Sequence, residues 1–479
     1  MWGKGIFETN RLIREELGDP EVAILAIGQA GERLVRIATI EHEYRSGTAL
    51  GAVWGAKNLK AVVVRGTKGV KVYDPEKILE MNKQMLSIIE KKLKDYIEWC
   101  KANGREYLPY PKYALGVDAV DEYLVQQEKA FTGYFKGIEW PDLEKTRAVP
   151  FLKKRMVKQT GCCPLSCIGI IKVPGVGTSV MRCDPFWWPW QLYLTDMDKA
   201  FEATRLCSDY GIDNQDIATP VSWLMQLYED GIITADDTDG VPMEWEALLI
   251  HRRGIVPNSD EFRNQTGVAL GTSVDTTCGR ENWYHDQIWE KHLKETGREK
   301  ELEEAYARAR EIYGTEKAII PWEYEGKVRG VIEAEYFERI SDILGRCFFV
   351  PKYAGHTGPI ELEACKAVTG IDFTEEQLNT YAEKALILEK AYNVREGFDR
   401  EDEKIHDFWF KEPIPDGPHK GRVLDKAKFE KMKDEYYEVR GWDPETSWPK
   451  RETYERLGLE DVAESLEKLG KLPKTKKQS

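Results

Sequence analysis

The sequence predicts an α+β chain in which helices dominate and strands gather near the start. Three observations carry that expectation. Two apolar runs suited to strands, residues 22–27 and 61–64, lie on either side of glycine-containing turns. From Asp74 onward the apolar positions take helical spacing, beginning with Ile78, Met81, Met85, Ile89, Leu93, Tyr96 and Cys100. Helix-boundary signals then recur along the rest of the chain.

Each element follows from local chemistry. Asp74 before Pro75 offers a cap followed by a residue whose missing N–H costs nothing in a first turn, so a long helix is expected there. Thr219-Pro220 is expected to open a second helix that Gly231 closes. Thr374 with Gln377 is a capping box for a third helix reaching Tyr392. Residues 468–479 are polar and lysine-rich, which predicts a disordered tail.

Bulk properties narrow the class. A chain of 479 residues with 42% hydrophobic content buries a large core, usually in two or three domains. No apolar stretch approaches the roughly 20 residues of a membrane-spanning helix. The start, Met1 to Glu8, has neither the basic beginning nor the apolar centre of an export signal, so a cytoplasmic location is expected. The formal charge of -14 repels phosphates, so no nucleic acid partner is expected. Nine unevenly spaced cysteines fit a reducing compartment better than a disulfide scaffold.

Three of those cysteines, Cys162, Cys163 and Cys167, crowd onto one short turn. Iron–sulfur clusters take four thiolates, often two or three from a local run and one from far away, and Cys347 is the candidate remote ligand. Buried cysteines serving as small hydrophobes are the plain alternative. Structural zinc lacks the second Cys or His pair that closes a tetrahedral site.

Further stretches, in order, are Trp2-Gly3-Lys4, residues 27–32 (Ile-Gly-Gln-Ala-Gly-Glu), 50–53 with 57–61, 64–68, 163–167, Asp209-Tyr210-Gly211-Ile212-Asp213, 342–347 and 392–398. Together they resemble the aldehyde:ferredoxin oxidoreductase family over nearly the whole chain. Residues 210–213, 227–234 and 436–442 most resemble the active-site subunit of ATP-independent (class II) benzoyl-CoA reductase. The resemblance implies a partial N-terminal pterin-binding β domain at residues 1–70, a helical domain with the cluster turn at 71–235, a helical C-terminal domain at 236–465 and a disordered tail at 466–479. The implied activity is electron transfer between a [4Fe-4S] cluster and an aldehyde, carboxylate or aryl-CoA thioester at a tungsten (or molybdenum) bis-pterin. A ferredoxin or iron–sulfur subunit is the implied electron partner.

Residue by residue, Cys163, Cys167 and Cys347 match cluster ligands of the family. The expected first ligand falls at Thr160, which implies that Cys162 substitutes by a changed loop path, that the cluster has a non-cysteine ligand, or that it is absent. Two Asp-Gly motifs are expected to hold the pterins: Asp209, Gly211 and Asp213, with Ser208 at the leading Asp position, and Asp342, Gly345 and Arg346. Glycine lets a ligand approach the backbone and carboxylates accept from pterin N–H groups; a helix-ending glycine with a turn aspartate explains such motifs equally well. The resemblance places Cys183 as a thiolate on the metal and the expected catalytic residue, a soft donor that leaves less room for an oxygen ligand, while a buried cysteine among core aromatics is the plain alternative. Phe186, Trp187, Trp188 and Trp190 are either pocket walls or core. His285 and His356 are further candidates as proton donors.

The chain also departs from the family. Members carry a sheet-forming segment ahead of the Trp-Gly-Lys element that begins here at residue 2. Their arginine-glycine-glycine turn is replaced by Arg45-Ser46-Gly47-Thr48-Ala49, and residues 247–276 are compressed. These departures imply a separate N-terminal segment as a partner, an incomplete reading frame, or a non-catalytic remnant with an iron–sulfur electron-transfer or interaction role.

Overall fold

The computed structural model describes residues 1–42, 45–46, 50–102, 156–159, 169–181, 188, 196–237, 262–276, 299–345, 359–414 and 419–473. The chain divides into two compact units, Met1–Asp121 with Tyr134–Leu249, and Glu122–Gly133 with Ile250–Ser479.

The first unit opens with α1 (Ile6–Leu17), which buries Ile6, Thr9, Asn10 and Ile13 along one face and stops at Gly18 in the left-handed region. Both expected strands form, β1 (Ala23–Ile27) and β4 (Ala61–Val64), and they pair antiparallel from Ala23↔Val64 to Ala26↔Ala61. Alternation along β1 sends Ile24 and Ala26 into a small core with Ile13, Val22 and Ala61. Between the two strands lie α2 (Gln29–Glu32), β2 (Ile40–His42), β3 (Arg45–Ser46) and α3 (Gly51–Ala56), and the sheet order is β3-β2-β1-β4. These four pieces are too short to show a periodicity in the sequence.

The expected long helix is α4 (Pro75–Ala102), whose first turn is capped where the Lys77 N–H donates to Asp74 Oδ1 at 2.9 Å. A second antiparallel sheet, β5 (Met156–Gln159), β6 (Gly169–Val173) and β7 (Gly177–Met181), follows. This sheet adds to the helical region expected at 71–235: the tight turn before Gly177, at φ 114, folds β6 back on β7. Then come α5 (Met197–Tyr210) and α6 (Asn214–Glu229).

The helix expected to open at Thr219-Pro220 instead begins at Asn214 and carries Pro220 inside it. Asp213 is the stronger start signal. Its Oδ1 accepts the Asp216 N–H at 3.1 Å and its carbonyl accepts the Ile217 N–H at 3.1 Å.

The second unit is helical. It comprises α7 (Thr266–Val274), α8 (Glu299–Tyr313), a 3-10 turn at Glu316–Ile319, α9 (Lys327–Ile343), α10 (Pro359–Thr369), α11 (Glu375–Arg395), a second 3-10 turn at Arg400–Glu403, α12 (Phe408–Lys411), α13 (Lys426–Arg440), α14 (Arg451–Arg456) and α15 (Glu460–Lys468). The Thr374–Gln377 capping box is present with both of its bonds. Helix α15 extends to Lys468, into the stretch expected to be tail, and residues 474–479 lie outside the described residues.

Helix α9 packs against α7, α11 and α13. The core of this bundle mixes aromatic and charged groups. Tyr436, Tyr437 and Trp442 are fully buried, with the Tyr436 and Trp442 rings edge to face at 5.7 Å. Beside them Glu335 is bonded by Arg440 and by the Tyr436 hydroxyl, and Glu403 by Lys390 and the Tyr437 hydroxyl. Burial, reinforced by these carboxylates, pushes both tyrosines well above the usual phenol range.

Candidate functional site

In the first unit, the separate sequence motifs are joined by hydrogen bonds. Glu32 accepts from the Gly3 N–H at 2.8 Å and from Lys60 Nζ at 2.6 Å. Lys60 Nζ also donates to the Lys4 carbonyl at 2.7 Å, and Gln29 Nε2 donates to the Gly3 carbonyl at 2.7 Å. The Trp2-Gly3-Lys4 element, the 27–32 turn and the 57–61 stretch therefore form one assembly around a largely buried ion pair. The glycines permit close packing: a Cβ on Gly55 would overlap the Gly31 carbonyl, and one on Gly51 would lie 2.7 Å from the Thr39 carbonyl.

Against this assembly lies the first Asp-Gly motif. Helix α5 ends with Gly211 at φ 70, and the Ile212 N–H returns to the Cys207 carbonyl at 2.9 Å. The Gly211 carbonyl then accepts the Thr39 N–H at 2.8 Å, and the Asp213 N–H donates to the Ile37 carbonyl at 3.2 Å. Gly28 sits under the turn, where a Cβ would overlap the Tyr210 carbonyl. Asp209 Oδ1 accepts the Phe7 N–H at 3.0 Å, so this carboxylate caps α1 from 202 residues away in sequence. Asp213 caps α6 as described. The aspartates of this motif thus carry structural bonds already.

Next to Asp213 stands Asp216, which the sequence reading missed. Burial, aided by the charge of Asp213, pushes its carboxyl up to about 7. The Asp-x-x-Asp spacing at a helix start was the available signal.

The second Asp-Gly motif is differently placed. Helix α9 ends at Ile343, Leu344 follows, and Gly345 takes φ 65. Asp342 is exposed, as are Ile343 and Leu344, and among the described residues a Cβ on Gly345 would meet nothing within 4 Å. Arg346 and Cys347 lie outside the described residues. So do Cys162, Cys163, Cys167, Cys183, His285, His356, Phe186, Trp187 and Trp190. Trp188 is described; it is buried and donates its indole N–H to Thr204 Oγ1 at 3.0 Å, which makes it core. Among the described residues no cluster of three or more His, Cys, Asp or Glu side chains is arranged to hold a metal, and no helix is long and apolar enough to cross a membrane.

The motif order and the fold can now be set beside known proteins. The family model of the aldehyde ferredoxin oxidoreductase N-terminal domain matches residues 1–66, and that of domains 2 and 3 matches residues 111–249 and 245–459. The chain belongs to the aldehyde ferredoxin oxidoreductase family.

Members of this oxidoreductase family similar to the chain include the tungsten-containing aldehyde ferredoxin oxidoreductase of Pyrococcus horikoshii, 28% identical over 96% of this chain and 77% of that protein. The aliphatic sulfonate oxidoreductase WOR-like subunit of Pyrococcus furiosus is 24% identical over 98% of this chain and 77% of its own length. Among solved structures, the active-site complex BamBC of benzoyl coenzyme A reductase, in complex with 1,5-dienoyl-CoA, superposes with a TM-score of 0.75 at 21% identity. That match covers 99% of this chain and 79% of the other. It shows the fold. The mostly helical class read from the sequence is the class of this family, and the first unit's sheet lies within the N-terminal family match.

Proposed function

We propose that this chain is the cofactor-bearing part of a tungsten (or molybdenum) bis-pterin, [4Fe-4S] oxidoreductase. Its substrate is an aldehyde, carboxylate or aryl-CoA thioester, and a ferredoxin or iron–sulfur subunit exchanges electrons with it. The observation that carries this reading is the 28% identity to a tungsten-containing relative spread over 96% of the chain, with the cysteine turn and both Asp-Gly motifs present. The reading takes residues 1–70 as the pterin-facing domain, 71–235 and 236–465 as the helical domains, and the cytoplasm as the location.

The described residues fit such a group best at the second motif. The exposed Asp342 carboxylate can accept from N–H groups of a pterin, and the open left-handed turn at Gly345 lets a flat ring come close to the backbone. Arg346, the next residue in sequence, would supply a cation to the same motif. At the first motif, Gly211 is filled from below by Gly28, so Asp209 and Asp213 would meet a pterin only from the outer side of their turn. Cys162, Cys163, Cys167 and Cys347 would hold the cluster, and Cys183 would ligate the metal. When bound, the metal centre and cluster supply two-electron chemistry coupled to single-electron relay. The chain's part is to hold and orient them.

The prior commitment of Asp209 and Asp213 to helix caps favours one second reading, a non-catalytic remnant that keeps an iron–sulfur or interaction role. Cys163→Ser tests the first reading. In anaerobically purified protein it should remove most of the broad visible absorbance of a cluster, as should Cys347→Ser. Full absorbance in either variant contradicts the assignment.

A further inference from the structure

We infer that the Thr276 hydroxyl is a positioning latch that fixes the motif-bearing end of α9 to α11. The inference rests on the functional reading above only where it concerns the cofactor. Arg339 lies one turn before Asp342 on α9, and its Nη2 donates to Thr276 Oγ1 at 2.8 Å and to Glu389 Oε2 at 2.7 Å. The Thr276 hydroxyl donates to the same Glu389 oxygen at 2.6 Å. The Thr276 carbonyl accepts from Asn393 Nδ2 at 2.6 Å. Thr276 sits just past the end of α7, and Glu389 and Asn393 stand one turn apart on α11. One threonine therefore ties three helices, using its hydroxyl as both donor and acceptor.

The arginine end of the latch is shielded from water, while Glu389 is 33% exposed. Arg339 is 1% exposed, Asp275 Oδ1 lies 3.9 Å from its Nη2, and Arg339 Nε and Nη1 have no hydrogen-bond partner among the described residues. An arginine that has given up its hydration for so few bonds is held by those few, so removing one releases it. Past Arg339 the only buried residue described on α9 is Ser341, and Asp342, Ile343 and Leu344 are exposed. Among the described residues, Arg339 supplies the side-chain hydrogen bonds that tie this end of α9 to Thr276 and α11. Asn393 belongs to the 392–398 stretch, so the latch joins two of the family's sequence elements.

The test uses Thr276→Val, which keeps shape and β-branching but loses the hydroxyl, against Thr276→Ser, which keeps it. In hydrogen–deuterium exchange of the full chain, amides of residues 340–345 should exchange about tenfold or more faster in Thr276→Val. In Thr276→Ser they should stay near the unaltered rate, and residues 327–334 should be unchanged in both. Unaltered exchange at 340–345 in Thr276→Val overturns the latch. So does faster exchange along all of α9 in both variants, which would mark Thr276 as ordinary packing.

Metal content separates this from the functional reading. If the unaltered chain holds cluster and tungsten, Thr276→Val shifts the electron paramagnetic resonance signal of the reduced cluster and Thr276→Ser restores it; an identical signal in all three overturns the link to the cofactor. If the unaltered chain holds neither metal, the assignment of Asp342 and Gly345 to a cofactor falls, and exchange alone still decides the latch.

Discussion

The two Asp-Gly motifs end helices in the same way and are used differently. Helix α5 is capped by Gly211 at φ 70, and α9 is capped by Leu344 and followed by Gly345 at φ 65, so each helix end has a left-handed glycine within two residues. At Gly211 the surrounding space is full: Gly28 lies beneath, residues 37–39 are bonded alongside, and Asp209 and Asp213 cap two helices. At Gly345 a Cβ would meet no atom of the described residues within 4 Å, and Asp342 is exposed. One motif binds its own unit together, while the other carries an exposed carboxylate on the last turn of its helix. A shared sequence pattern therefore fixes a helix-ending turn, and the surroundings decide whether that turn is structure or site.

Substitutions can break this contrast. The largest effect is expected at Gly28→Ala, where the new Cβ would collide with the Tyr210 backbone carbonyl, a group that cannot rotate away. A loss of about 4 kcal/mol or more, enough to unfold the first unit in thermal melts, is expected.

Asp216→Asn should act through pH. Folding raises this carboxyl from 3.8 to about 7, so the wild type carries no penalty below the unfolded value, where both states are protonated. The penalty grows as pH climbs to about 7 and is constant above. The variant should match wild type near pH 3.5 and exceed it by at most about 4 kcal/mol at pH 8 in denaturant titrations. A difference that is flat across that range would remove Asp216 from the account.

Asp209→Ala deletes the acceptor at the start of α1 and should cost about 1–2 kcal/mol, read as a lower melting temperature with faster exchange at the α1 amides. The smallest effect is expected at Gly345→Ala, about 1 kcal/mol for the left-handed backbone alone. If Gly345→Ala proved as costly as Gly28→Ala, the second motif would be packed like the first and the contrast would disappear.

The sequence made the long or punctuated elements legible. Asp74-Pro75 announced α4, Thr374 with Gln377 announced α11, and the two apolar runs became β1 and β4. It failed where two start signals competed, since Pro220 drew attention from the better cap at Asp213. It also missed short strands such as β5 to β7, whose four or five residues each carry little pattern. The Asp-Gly turns were visible as residues, but the packing of the first one was not, because it lies in Gly28 and in residues 37–39, far away in sequence. Nothing local marked Thr276, whose bonds reach α9 and α11 more than sixty residues on.

The central claim is that this chain carries a tungsten or molybdenum centre and one iron–sulfur cluster, and metal stoichiometry of anaerobically purified protein tests it most directly. The account predicts one tungsten or molybdenum and about four irons per chain. Iron alone would leave an electron-transfer chain without the oxidoreductase centre, and neither metal would contradict the account outright.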